Sequence, residues 1–339
     1  MAIPVAVLGA GSFGTCLATL CAAENEVRLW ARDPKLVEGI LRTRKNPRYL
    51  TDAPIPEAVH PTSDLAAALR GAELVILAVP SQSLRGVAEA AAPHLAPGSI
   101  VVSAVKGIEV ETGRTMSAVL REVLPSEWAD RIVCLSGPSF ASEIAARKPT
   151  VVTLACAEAT YAISVQATLS CPWFRCYSQT DVLGVELGGA LKNVIAIAVG
   201  IGDGQLQGHN SRAALMTRGL AEITRLGLKL GAEAQTFQGL SGMGDLVLTC
   251  TGDRSRNRQV GLALGRGQSL AAILDEMGEV AEGVETTRAV CRLAERIGVE
   301  MPIAEGVREV LDGRCTPAEA GQRLMQRQLR SESEDDGAA

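Results

Sequence analysis

No Cys-x-x-Cys pair occurs in the 339 residues, and the nine cysteines are scattered and odd in number. Neither a zinc site nor a disulfide framework is therefore favoured, and buried free thiols are the expectation instead. No uninterrupted apolar run reaches membrane-spanning length, and no cationic stretch precedes a signal-type apolar core at the start. The chain is accordingly expected in the cytoplasm, with no membrane span. Positive charge is not in excess: 33 Lys and Arg against 38 Asp and Glu leave a net charge of −5. That balance argues against broad binding to nucleic acid or an anionic membrane, so any anionic ligand must be held by a local basic cluster. Internal repeats are absent as well. What remains is an ordinary globular composition, 47% hydrophobic and 21% charged, in a chain long enough for two domains with sizeable cores.

The most informative stretch is the first. Val5-Ala6-Val7-Leu8 is a short, wholly apolar run of the kind that forms a buried parallel strand. It leads into Gly9-Ala10-Gly11-Ser12-Phe13-Gly14 and then into small and apolar residues suited to a helix packed on a sheet. In G-x-G-x-x-G placed between strand and helix, Gly9 makes the turn, Gly11 lets backbone approach a pyrophosphate, and Gly14 lets helix and strand pack closely. The helix start would hold the phosphates. A second strand, 26–30, is followed by Arg32-Asp33-Pro34, where the adenosine ribose of such a site is met. Arg32 leans the cofactor towards NADP over NAD, because a guanidinium suits a 2′-phosphate. Asp33 weakens the lean, because Asp-Pro equally reads as an N-cap with Pro at the first helical position.

Residues 44–63, with five prolines and asparagines among them, read as loop. Apolar runs at 73–79, 99–105, 132–136, 150–155 and 174–178, separated by helical stretches, continue an alternating β/α pattern. The expectation is an α/β Rossmann domain over residues 1–180, doubly wound with a mostly parallel sheet. Ligands sit outside the carboxyl ends of strands in such sheets, so Pro80-Ser81, Lys106-Gly107 and Gly137-Pro138-Ser139 fall on the cofactor's side. Gly137 permits close backbone approach, and Ser139 can cap the helix that follows.

From Asp181 onward, longer helical patterns take over, at 183–200, 211–227, 269–277, 284–297, 302–311 and 316–328. Residues 181–330 are expected to form an all-α domain, and the acidic segment 331–339 a disordered tail. Lys192 stands in an otherwise apolar helix, where a charge is costly to bury without a partner. Its side chain leans over Gly188 and Gly189, which suggests a lysine above an open groove that admits a small substrate. Asp245 stands at the joint of a glycine-rich turn and an apolar segment, and an N-cap is its bland reading. Arg254, Arg256 and Arg258 surround Ser255 and Asn257 where a helix can start, and together they read as the local anion site. Val280-Ala281-Glu282-Gly283 is a smaller turn to which spacing assigns no role.

Collected in order, GAGSFGT, AVPSQ, AVKGIE, SGPSFA, LGGALKNVIAIAVGI, RAALMTRGLAE, GLSGMGDLVLTCT, SRNR and VAEGVETT make the chain resemble the bacterial type of NAD(P)-dependent glycerol-3-phosphate dehydrogenase. The resemblance implies reversible reduction of dihydroxyacetone phosphate to sn-glycerol 3-phosphate for phospholipid synthesis, in a homodimer. It further implies that Ser12, Phe13, Arg32, Lys106, Ala141, Arg256, Val280 and Glu282 touch the cofactor. Lys106, Gly137, Ser139, Lys192, Asp245, Ser255, Arg256 and Asn257 would form the substrate site, with Lys192 as the proton acceptor in the oxidative direction. Two other readings stand beside it: a 3-hydroxyacid dehydrogenase of similar fold, which would need a carboxylate pocket and no phosphate, and a dinucleotide sensor without catalysis.

Overall fold

A computed structural model describes residues 2–277, 281–329 and 331. The chain forms two compact units: Met1–Val105 with Met116–Val182, and Lys106–Thr115 with Leu183–Ala339. The expected acidic tail lies outside the described residues except for Ser331. All nine cysteines are free thiols, with Cys171 and Cys315 partly exposed and the others buried.

The first unit is built on one eight-stranded sheet. Its strands are β1 (Val5–Leu8), β2 (Val27–Trp30), β3 (Val59–Thr62), β4 (Leu74–Leu77), β5 (Ile100–Ser103), β6 (Ile132–Ser136), β7 (Thr150–Ala155) and β8 (Phe174–Gln179). The order β3-β2-β1-β4-β5-β6-β7-β8 contains the doubly wound 3-2-1-4-5-6 arrangement, with its switch point between β1 and β4. Pairing is parallel throughout except between β6 and β7. Alternation along β1 explains the two cores: Val5 and Val7 pack with Leu17, Leu29 and Val102 on one face, and Ala6 and Leu8 with Val75, Leu84 and Met116 on the other. Both faces are covered, which is why the strands read as unbroken apolar runs.

β3 falls inside the stretch expected to be loop. Its sequence, Val59-His60-Pro61-Thr62, carries a proline opposite Leu29 of β2. A proline is tolerated there because β3 is an edge strand, with no further neighbour to receive a backbone donor.

In the second unit the Val182–Gly204 helix is buried at every residue from Gly184 to Gly202. It is long and apolar enough to cross a membrane by composition, yet it is the core of this unit. Gly208–Leu230, Leu270–Met277, Glu282–Ile297, Pro302–Leu311 and Pro317–Met325 correspond to expected helices. Arg256–Gly265 is the helix whose start is expected at Ser255, and Ala234–Gln238 and Asp245–Thr251 lie outside the expected helical runs. These last two are only five and seven residues long, too short for a periodicity to register.

Arg256–Gly265 meets the core helix backbone to backbone. A Cβ on Gly200 would lie 2.2 Å from the Arg258 carbonyl oxygen, and one on Gly261 would lie 2.1 Å from that of Ile197. The contact repeats one turn on, with Gly204 against Leu262 and Gly265 against Ile201, each at 2.4 Å.

Candidate functional site

In the first unit, the turn after β1 sits at the switch point of the sheet. Gly9 has φ +115°, and a Cβ there would approach the Ala78 carbonyl oxygen to 2.5 Å, so conformation and space both demand glycine. A Cβ at Gly14 would meet the Gly9 carbonyl oxygen at 1.8 Å, which is the close helix-to-strand packing expected of the third glycine. Gly11 differs. Its φ is −73°, and nothing lies within 4 Å of where its Cβ would be. None of the described residues requires a glycine there, but a phosphate lying over the turn would. Gly11 is also the N-cap of Ser12–Cys21, with no side-chain cap bond and no acidic residue in the first turn. The helix start presents partial positive charge, and a dinucleotide pyrophosphate fits it.

Asn46, buried in the segment read as loop, secures this turn. Its Nδ2 donates to the Ala10 carbonyl and to Thr15 Oγ1, each at 2.9 Å, while its Oδ1 accepts from the amides of Arg48 and Tyr49. Beyond β2, Asp33 accepts from the Lys35 amide at 3.0 Å, with Pro34 at the first helical position. The Asp33 carboxylate is thus spent as an N-cap, whereas Arg32 is exposed beside it.

Gly137 is buried with φ +129°, and a Cβ there would lie 3.0 Å from Val152 Cα. Ser139, expected from sequence to cap the next helix, does not. The N-cap of Ala141–Ala145 is Phe140, and the Ser139 hydroxyl donates back to the Gly137 carbonyl at 2.8 Å. Ser12, Phe13, Arg32, Gly137, Ser139 and Ala141 all belong to the first unit.

The second unit gathers Lys106, Lys192 and Asp245. Lys106 opens a ten-residue excursion, Lys106–Thr115, that belongs to the helical unit. Ile108 is fully buried in the helical core, and Arg292 donates to the Val110 carbonyl at 2.7 Å. Asp245 is the first residue of Asp245–Thr251 and not its N-cap. Its Oδ2 accepts from Lys106 Nζ at 2.7 Å, and its Oδ1 accepts from Lys192 Nζ. Lys192 also donates to Thr249 Oγ1 at 2.9 Å, and Thr249 in turn donates to the Asp245 carbonyl. Burial pushes Lys192 down from 10.5 to about 8, against the Asp245 carboxylate, which favours the ammonium. Burial alone would raise the carboxyl of Asp245, but Lys106 and Lys192 more than offset it and hold it below the usual range. Cys250 lies alongside, its thiol pushed by burial up to about 12 and therefore unreactive.

Above Gly188 the expected opening is occupied. A Cβ at Gly188 would lie 2.6 Å from the Ser241 carbonyl oxygen, so the space is filled by the backbone of the turn that carries Asp245.

The anion cluster is also reorganised. Ser255 is the N-cap of Arg256–Gly265 and accepts from the Arg258 amide at 3.2 Å. Arg258, however, is committed to carboxylates: its Nε and Nη2 donate to Asp203 Oδ2 at 2.9 and 2.7 Å, and its Nη1 to Asp253 at 3.1 Å. Arg212 holds the other oxygen of Asp203. Of the three arginines, Arg258 is structural, while Arg254 and Arg256 are exposed. The Asn257 side chain is buried, donating to Asn193 Oδ1 at 2.8 Å and accepting from the Gly283 amide at 2.9 Å. It ties the anion helix to the residue after Lys192 and to the first turn of Glu282–Ile297, which opens on Glu282. Val280 lies outside the described residues. Asn46 and Asp203 carry these contacts from outside every quoted motif, whereas Asn193 and Thr249 lie within quoted motifs that assigned them no role.

The model of the NAD-dependent glycerol-3-phosphate dehydrogenase N-terminus matches residues 4–162, and that of its C-terminus matches residues 181–322. A glycerol-3-phosphate dehydrogenase [NAD(P)+] of Nitratidesulfovibrio vulgaris is 53% identical over 97% of this chain and 99% of its own length. One from Syntrophotalea carbinolica is 52% identical over the same shares. The crystal structure of glycerol-3-phosphate dehydrogenase from Coxiella burnetii is similar with a TM-score of 0.91 and 38% identity, covering 96% of this chain and 99% of that one.

Proposed function

The chain belongs to the NAD-dependent glycerol-3-phosphate dehydrogenase family, and from that membership we propose that it reduces dihydroxyacetone phosphate to sn-glycerol 3-phosphate, reversibly, with NADPH or NADH. When bound, the dinucleotide supplies the hydride that adds to C2 of the ketone. The Lys192 ammonium donates the proton that neutralises the developing alkoxide, so C=O becomes CH–OH and the lysine is left as the amine. In the oxidative direction the same amine accepts the hydroxyl proton. The observation that carries this reading is the buried Lys192–Asp245–Lys106 cluster: a lysine held near a pKa of about 8 can both give and take a proton close to neutrality.

Asp245 fixes the ammonium heads of Lys192 and Lys106, and Lys106 orients the substrate oxygen. Ser255, Arg256 and Asn257 hold the phosphate through the start of their helix, the Asn257 side chain serving as a brace and its backbone as the donor. Gly137 and Ser139 complete the substrate residues. Gly9, Gly11, Ser12, Phe13, Gly14, Arg32, Lys106, Ala141, Arg256, Val280 and Glu282 are the cofactor residues. The exposed Arg32, beside an Asp33 already engaged, favours NADP over NAD. We further propose a homodimer acting in the cytoplasm to supply phospholipid synthesis; sedimentation of the purified protein tests the first part.

Loss of reduced-nicotinamide absorbance on mixing the protein with dihydroxyacetone phosphate tests the activity. Turnover of a 3-hydroxy acid without phosphate, or dinucleotide binding without turnover of either substrate, would overturn it.

A further inference from the structure

Gly188 precedes Lys192 by one turn of the core helix and is buried. The Cβ it lacks would sit 2.6 Å from the Ser241 carbonyl oxygen, 3.1 Å from the Ser241 carbonyl carbon and 3.2 Å from Gly242 Cα. All three are backbone atoms of the π-helical turn Leu240–Gly244, which runs straight into Asp245. This turn is braced from behind as well. A Cβ at Gly242 would lie 2.1 Å from the Phe237 carbonyl oxygen, Phe237 is fully buried, and the Gly244 amide donates to the Gly239 carbonyl. The turn therefore has backbone on both sides. Such π-helical insertions recur where a functional side chain must be aimed.

We propose that Gly188 is a positioning residue for proton transfer: its missing side chain lets the Ser241–Gly242 backbone seat on the lysine helix, and that seat sets where Asp245 meets Lys192 and Lys106. The inference rests on Lys192 being the proton donor. Both hydrogen-bond partners of Lys192, Asp245 and Thr249, lie on the short helix that begins where the turn ends, so a shift of the turn displaces them together. An added methyl at 188 forces the 2.6 Å gap to open to at least 3.4 Å before the contact is ordinary. An ammonium–carboxylate hydrogen bond does not survive such a displacement unchanged.

Three variants separate positioning from mere packing. Asp245→Asn removes the carboxylate charge without touching the backbone. Lys192 then keeps burial and Lys106, which favour the neutral amine and outweigh the smaller opposing effect of Cys250, so the lysine-controlled limb of the kcat–pH profile moves to lower pH by about 1 unit or more. Gly188→Ala should move the limb the same way, with kcat reduced roughly 10- to 100-fold. Gly204→Ala brings an equally hard backbone clash at the other end of the same helix, 2.4 Å from the Leu262 carbonyl oxygen. It should lower the melting temperature and leave the limb where it is. A Gly188→Ala limb that superimposes on wild type overturns the inference. So does a limb that Gly204→Ala shifts as far, or a Gly188→Ala protein that fails to fold where Gly204→Ala folds. Lys192→Ala with wild-type turnover would overturn the proton-donor reading and this inference together; an inactive Lys192→Ala beside an unmoved Gly188→Ala limb overturns only the latter.

Discussion

Lys192 and Asp245 are hydrogen-bonded to each other in a buried site, their side chains being 9% and 1% exposed. Removing one partner of a buried pair usually leaves an uncompensated charge and costs several kcal/mol. Here the second lysine changes that outcome for one partner only. Without Lys192, Asp245 still accepts from Lys106. Without Asp245, two ammonium groups face each other.

Lys192→Ala is therefore expected to fold, with kcat lowered roughly 10²- to 10⁴-fold and cofactor affinity little changed. Lys192→Arg should rescue poorly, because guanidinium does not release its proton near neutral pH. In the wild type, reduction needs the ammonium and slows as pH rises through about 8, whereas oxidation needs the amine and gains over the same interval. Steady-state rates in both directions across that range check the assignment. Profiles that move in the same direction would exclude it.

Arg256 and Arg258 should behave differently despite being two residues apart. Arg258→Ala leaves Asp203 with Arg212 alone, so the melt should reveal a loss of roughly 1–3 kcal/mol. Arg256→Ala probes the substrate's phosphate instead. It should cut turnover of dihydroxyacetone phosphate heavily, yet barely alter the feeble rate on dihydroxyacetone, which has no phosphate to hold. Equal factors on the two substrates would remove Arg256 from the phosphate site.

Arg32→Ala tests the cofactor lean. If the guanidinium meets a 2′-phosphate, KM for NADPH rises while that for NADH stays nearly unchanged, since one cofactor alone loses a charge-assisted bond of roughly 1.5–3 kcal/mol. Equal losses with both would mean that Arg32 supports the loop.

The glycines of the first turn differ in what they answer to, and titration with NADH or NADPH beside a thermal melt separates them. Gly11→Ala meets open space at an ordinary φ, so stability should hold while dinucleotide affinity falls at least tenfold. Gly9→Ala meets the Ala78 carbonyl at an unfavourable φ and should destabilise the protein even without ligand. Unchanged dinucleotide binding by Gly11→Ala would remove the phosphate from this turn.

Glu222 gives the helical unit a pH dependence unconnected with catalysis. It is buried and accepts from the Ile303 amide at 2.7 Å, and burial raises its pKa from 4.5 to about 7 despite the amides that favour its charged form. A carboxyl whose folded pKa is raised contributes stability that is full below about 4.5 and is lost as pH climbs through about 7. Glu222→Gln keeps an acceptor for the amide and does not titrate. Its stability relative to wild type should therefore improve between about pH 5 and about pH 8, by up to about 3 kcal/mol. Denaturant titrations at both ends measure this, and a constant difference would refute it.

The alternating pattern was legible because a two-faced parallel sheet leaves its strands apolar throughout, as in Leu74–Leu77. β3 was hidden by Pro61, which only its edge position makes acceptable. In the site, Lys192 was conspicuous as a charge among apolar neighbours. The filling of Gly188 by Ser241 was not, because a sequence carries no trace of which remote backbone enters a glycine's empty space. The arginines around Ser255 misled for a related reason: the acid that neutralises Arg258 lies 55 residues away, at Asp203. Asn46 announced itself only as part of a loop, and its role depends on a turn 36 residues earlier.

The glycine contacts between the core helix and Arg256–Gly265 bear on substrate length. Lys192, the proposed proton donor, is carried by one of these helices and Ser255–Asn257, the proposed phosphate grip, by the other. Where Gly200 and Gly204 meet Gly261 and Gly265 there is no side chain to repack, so the separation of proton donor and phosphate grip is a ruler cut in backbone. A side chain added at any one of these four glycines forces the two helices apart and lengthens the ruler without regrading it. On the proposed roles, acceptance of a longer or shorter phosphorylated ketone would be closed to stepwise change at this contact, and a three-carbon preference would be protected by four glycines remote from the reacting atoms.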